Sequence, residues 1–225
     1  MFYMIPTKGG LGVELWGTYD DLEQFYDLLT SNYLDEEKNH FPNNENRVSL
    51  LSSFSYEIRK AYEGSRLKND KSPISHIPAT YLGCTFSWPH ILFSLTAYKF
   101  TLVYSPTSKL EASYIQILEY WLENAMQRYD PVGALKLKSF INGSLYGGNP
   151  CIYQYMRSIN LEFLSQGGGK RNFRKLPTIL KRGQSGTDAY ADYMEELEKF
   201  AKKVKTTPDL LEVDDEDFDY EGLKW

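Results

Sequence analysis

The sequence predicts an α+β fold, mainly helical, with a small and mostly antiparallel sheet. Three observations predict it. Two short apolar runs near the start flank a glycine-containing turn, a third run rich in β-branched and aromatic residues lies at 80–87, and most of the remaining chain repeats apolar residues at helical spacing.

The first strands are expected at 2–6 and 11–16. Between them, Gly9 and Gly10 permit the positive φ that a hairpin turn uses. Leu11, Val13 and Leu15 alternate with Gly12, Glu14 and Trp16, so the aliphatics share one face. Thr18 and Asp21 form a capping-box pair ahead of Leu22, Phe25, Leu29 and Tyr33 at helical spacing. The polar stretch 34–46 reads as a loop. A helix over 47–63 follows, burying Val48, Leu51, Phe54, Ile58 and Ala61 and ended by Gly64. Residues 65–78, with two prolines, read as a surface loop.

The third strand is 80–87. Pro89 suits a helix start, so 91–100 reads as a buried helix, with a strand over 99–104 as the competing choice. The clearest helix is 109–129, whose two apolar stripes imply contact on two sides. A short helix is expected over 132–140. Asn149 and Pro150 read as a cap and first position for the next, carrying Ile152, Tyr155, Met156, Ile159 and Phe163. Shorter and longer helices follow at 170–182 and from Thr187.

Composition bounds the rest. The chain has 225 residues, 42% hydrophobic and 15% aromatic, enough for one core and incompatible with disorder throughout. One globular domain is expected over 1–207, followed by a tail over 208–225. The net charge is −5, but the tail holds eight acids and one base, so the remainder carries +2. Cys84 and Cys151 make neither a disulfide framework nor a metal site. The opening residues lack the pattern of a signal peptide, and the most apolar stretch is too short to span a bilayer. The expected setting is cytoplasmic, without a membrane.

Three groups of residues could carry function. The first is Gly167, Gly168, Gly169, Lys170, Arg171, Arg174 and Lys175, within a stretch 170–182 of six bases and no acid. Successive glycine amides before a helix attract anions, and arginine forks suit phosphate. The pattern is no P-loop, since Leu164 stands where the first glycine belongs and Arg171 where a hydroxyl belongs. A glycine turn between two helices, with a solvated basic face, is the simpler explanation.

The second group is Phe218, Tyr220, Leu223 and Trp225, spaced among the acids of the tail. Acid–aromatic spacing suits docking on a basic surface, with 170–182 the obvious one in cis. The third is Tyr56, Glu57, Arg59, Arg66 and His90, the weakest set. Helical ion pairs account for the charges, and a packed histidine accounts for His90, whose place in a helix's first turn favours the neutral ring. None of the three histidines has metal-ligand spacing, and no cofactor is expected.

The strings GVELWGTYDDL at 12–22, FSYEIRKAYEGSR at 54–66, FSWPHILF at 86–93 and YMRSIN at 155–160 through GKR at 169–171 resemble an uncharacterised bacterial domain family. The resemblance covers most of the chain. It implies a bacterial cytoplasmic protein and brings no activity with it.

Function is therefore expected to be non-catalytic: protein interaction or assembly, with a protein partner or self-association. One alternative is binding of nucleic acid or a phosphate ligand through 167–182. The other is an enzyme built on the Tyr, Glu, Arg and His set.

Overall fold

The computed structural model describes residues 1–33, 44–71, 78–213 and 218–225. Strands β1 (Tyr3–Pro6) and β2 (Gly12–Gly17) form the expected hairpin. Helix α1 (Tyr19–Tyr33) follows, and its capping box is reciprocal: the Asp21 amide donates to the Thr18 hydroxyl and the Thr18 amide to the Asp21 carboxylate. Helix α2 spans Glu45–Tyr62. Strands β3 (Leu67–Lys71) and β4 (Pro78–Ser87) complete one sheet of order β1-β2-β4-β3, antiparallel at every pairing.

Six more helices follow among the described residues. They are α3 (Trp88–Tyr104), α4 (Lys109–Tyr129), α5 (Pro131–Ser139), α6 (Ile152–Ser165), α7 (Lys170–Leu180) and α8 (Asp188–Val204). A π-turn, Phe140–Ser144, continues α5. The fold is thus α+β and mainly helical, as the periodicity predicts.

Two local expectations are corrected and one open choice is resolved. Part of the loop expected over 65–78 is the strand β3, paired through Leu67↔Gly83 and Lys68↔Leu82. Lys68, Asn69 and Asp70 are exposed, so this charged edge strand carries no apolar alternation to detect. The choice at 99–104 resolves as helix: Thr101 is buried with its hydroxyl on the Ala97 carbonyl, and the helical ladder runs on to Ser105. Asn149 and Pro150 lie outside α6, which starts two residues later. The Asn149 side chain instead accepts from the Cys151 amide at 2.8 Å. The histidines His40 and His76 lie outside the described residues.

One buried cluster runs from Phe2 to Leu211. Val13 and Leu15 of β2 pair with Phe86 and Cys84 of β4, and all four are buried. Phe86 stacks on Phe54 of α2 at 4.3 Å between ring centroids, which seats α2 on the sheet. On α4, Trp121 meets Tyr3 of β1 edge-on at 6.1 Å. Trp88, fully buried at the start of α3, donates its indole N–H to the Gly10 carbonyl at 3.0 Å and packs on Phe173 of α7. None of the described helices is long and apolar enough to cross a membrane.

The hairpin turn is held by close backbone approach. The Gly169 amide donates to the Gly9 carbonyl at 2.9 Å. A Cβ on Gly168 would lie 1.9 Å from that same oxygen, and one on Gly9 would lie 1.9 Å from the Lys224 carbonyl. Gly168→Ala is therefore expected to force these segments apart, costing about 2 kcal/mol and lowering Tm by roughly 4–8 °C. Gly186→Ala meets no atom within 4 Å at φ +83°, so only backbone strain of about 1 kcal/mol applies. Calorimetry showing the two variants equally destabilised would refute the close-approach account.

Candidate functional site

Residues from five separated stretches line one cavity of about 820 Å³. Helix α2 contributes Ser53, Tyr56 and Glu57, which share a face because they stand three and four positions apart. The start of β3 brings Arg66 and Leu67, the end of β4 brings Cys84, Thr85 and Ser87, and the first turn of α3 brings His90. Asn160 and Leu164 come from α6. Tyr220, Glu221 and Trp225 form the remaining wall.

His90 packs edge-on against the stacked pair of Phe54, at 6.1 Å, and Phe86, at 5.5 Å. It is half-buried and lines the cavity. Burial pulls its pKa down to about 4, outweighing the opposite pull of the nearby Glu57 carboxylate. The neutral ring is as expected, but burial is its main cause rather than the helix start. Its Nε2 lies 3.1 Å from the Ser53 hydroxyl, whose own proton goes to the Leu50 carbonyl at 2.8 Å. That network assigns the proton to Nε2, so His90 donates to Ser53. A serine in this state is not being deprotonated by its histidine.

Ser87 caps α3, accepting from the His90 amide at 3.2 Å and donating its hydroxyl proton to Asn160. Arg66 grips Glu57 with both arms, Nε at 2.7 Å and Nη2 at 3.1 Å. Cys84 is completely buried, and burial holds its thiol well above the usual range, so it stays protonated. Of the third sequence-predicted set, Tyr56, Glu57, Arg66 and His90 thus meet around one cavity. Arg59 does not line it. It lies over the Tyr56 ring, 5.3 Å from the centroid, and pairs with Glu63.

Sequence reasoning missed Ser53, Thr85, Ser87 and Asn160. Ser53 was within reach, since it shares the helical face of Tyr56 and Glu57. Nothing in the local pattern marks Asn160, which arrives from α6 across 73 residues to meet Ser87.

The glycine-rich basic segment is divided differently. The Gly167 and Gly169 amides are spent on the Leu164 and Gly9 carbonyls. Arg174 is engaged in a two-armed pair with Asp130, 2.7 Å on each arm, and Asp130 also caps α5 by accepting from Gly133. Arg171 and Lys175 edge an open depression of about 860 Å³ that also contains Gly168 and the Glu162 carboxylate. Lys170 is exposed and is not part of its lining.

The last group docks in cis, but not on 170–182. The Asn46 amide donates to the Asp209 carbonyl at 2.8 Å, and the Gln154 amide donates to the Asp209 and Leu211 carbonyls at 2.6 and 3.1 Å. Phe218, Leu223 and Trp225 pack against the core, while Tyr220 is partly exposed beside Phe218. Backbone recognition by α2 and α6, and the approach to Gly9, decide the docking place rather than charge. Among the described residues no three His, Cys, Asp or Glu converge as metal ligands.

His90 sets a pH dependence. Its folded pKa of about 4 lies below the ordinary 6.5, so the unfolded chain binds more protons between those values. The stabilisation is complete above pH 6.5 and is lost as pH falls through 4, about 2 kcal/mol in all after allowing for solvent in the cavity. Asp130, held down to about 2 mainly by its bond from Arg174, acts later, between its ordinary 3.8 and 2. Urea midpoints for His90→Gln are expected to lose the pH 6.5–4 slope and keep the lower one. An unchanged upper slope would contradict the assignment.

No curated protein and no solved structure matches the chain. One family does, over residues 2–225, and it is described as a domain of unknown function, DUF6904. The match spans nearly the whole sequence, and the chain belongs to the DUF6904 family.

Proposed function

We propose that this protein is a non-catalytic interaction protein that takes a ligand into the cavity bounded by α2, β4, α3, α6 and the segment 218–225. One observation carries the reading. Polar side chains from distant parts of the chain converge on this cavity, yet those with reactive chemistry are engaged with one another. Glu57 is held by Arg66, the Ser53 proton lies on Leu50, and the Cys84 thiol is protonated. What remains is hydrogen-bonding capacity and ring surface, which suit recognition. A bacterial cytoplasmic setting goes with this reading; it rests on the family likeness and on two buried, free thiols. Phosphate or nucleic-acid binding has less support, because Arg174 and two glycine amides are used inside the fold.

The reading is tested by ligand-observed NMR of the full chain against a panel of small aromatic fragments. Thr85→Phe places a ring in the cavity from β4. Fragments are expected to bind the natural chain, and the variant is expected to lose at least about tenfold in affinity, or about 1.4 kcal/mol. A panel with no binders, or one that binds both proteins alike, would remove the cavity from the account.

Self-association has a separate basis. A groove of about 600 Å³ between α4 and α5 is lined by Met126, Ala134 and Ile141, with Tyr120 58% and Leu135 74% exposed. Glu123 and Lys138 in its lining offer opposite charges, which a two-fold contact between copies would pair reciprocally. Light scattering should then give a dimer that Leu135→Glu converts to monomer. A monomeric natural chain at high concentration would exclude this arrangement.

A further inference from the structure

We infer that the cavity recognises an organic cation, an ammonium or guanidinium group carried on an apolar stem. The inference rests on the cavity being the ligand site, as proposed above, and adds the chemistry of what enters. Three observations support it.

The first is the charge of the lining. Two carboxylates, Glu57 and Glu221, face one guanidinium, Arg66. Arg66 is committed to Glu57 by a two-armed bond. Among the described residues, nothing pairs with the Glu221 carboxylate. The charge left to meet a ligand is negative. An anion would face Glu221 and would have to draw Arg66 away from a bidentate partner, which is costly.

The second is the ring surface. Trp225, Tyr220 and Tyr56 line the cavity together with Glu221. Aromatic faces attract cations through the ring quadrupole, most strongly for Trp. Tyr56 already does so within the chain, carrying the Arg59 guanidinium at 5.3 Å and the Lys60 ammonium at 5.7 Å from its ring centroid. Those two cations also bond Glu63, and neither lines the cavity. The Trp225 ring holds no such cation among the described residues and is the free face.

The third is the interior. His90 is neutral at physiological pH and donates to Ser53, so it presents no positive charge to oppose a cation. Leu67 and Leu164 supply apolar surface for a stem. An ammonium near Glu221 with its stem between Trp225 and Leu164 would satisfy charge and burial together.

The cation could belong to a free amine or to a Lys or Arg side chain of a partner protein, and the test separates these sources. Full-length protein is titrated at pH 7 with benzylamine, benzyl alcohol and sodium benzoate, followed by ligand-observed NMR and tryptophan fluorescence. A second arm uses the capped tripeptide acetyl-Gly-Lys-Gly-amide. Benzylammonium is expected to bind at least about tenfold more tightly than the alcohol, with benzoate weakest. Glu221→Gln should remove most of that preference, while Glu212→Gln, exposed and outside the cavity, should leave it intact.

Tripeptide binding would support a protein side chain as the source. Benzylamine binding without the tripeptide would support a free amine. Equal binding of amine and alcohol, unaffected by Glu221→Gln, would overturn the cation assignment and leave the cavity as a general apolar site. Absence of binding by every probe and every fragment would overturn the ligand site itself.

Discussion

Three segments meet at backbone distance on Gly9. The hairpin turn accepts a hydrogen bond from Gly169, Gly168 lies against the same carbonyl, and the Lys224 carbonyl lies where a Cβ would stand on Gly9. A side chain on either glycine would hold these chains apart by more than the contact tolerates. The arrangement ties the end of α6, and with it Leu164, to the hairpin and to residues 224–225. Leu164 and Trp225 are both walls of the cavity. The cavity thus depends on a packing constraint that contains no functional group. Of the three glycines that suggest an anion nest in the sequence, Gly168 serves as a spacer in the fold, while Gly167 and Gly169 supply positive φ.

The polar groups around the cavity divide into spent and unspent. Ser53, Ser87 and His90 close a short network that runs from α2 through the start of α3 to Asn160 of α6. Its members restrict one another's rotamers, while burial keeps His90 neutral. Glu57 and Arg66 cancel each other at the edge. Among the described residues that line the cavity, Glu221 keeps a carboxylate with no partner, on a tail whose backbone is held at Asp209 and Leu211 by Asn46 and Gln154.

The acid–aromatic segment shows how composition and geometry can point to different places. Its charge suggested the basic stretch 170–182. In the fold, Arg174 and Arg182 of that stretch are paired with Asp130 and Glu162. Side-chain amides on α2 and α6 instead hold main-chain carbonyls of Asp209 and Leu211. Buried hydrogen bonds of this kind have few alternatives, whereas exposed charge pairs are weak and exchangeable.

The sequence by itself determined the element types, most helix boundaries, the capping at Thr18 and the mainly helical α+β class. Those are local properties: an apolar period of 3.6 or 2 and a capping oxygen act within a few residues. Only the tertiary structure decided that β3 pairs on the sheet edge, since an exposed strand leaves no apolar pattern. Only it brought Ser53, Ser87, His90 and Asn160 together, and set Glu221 and Trp225 against them. Those meetings join residues as much as 172 positions apart in the chain. They follow from which apolar faces bury against each other and where glycine lets backbones touch, and neither is written in any short window.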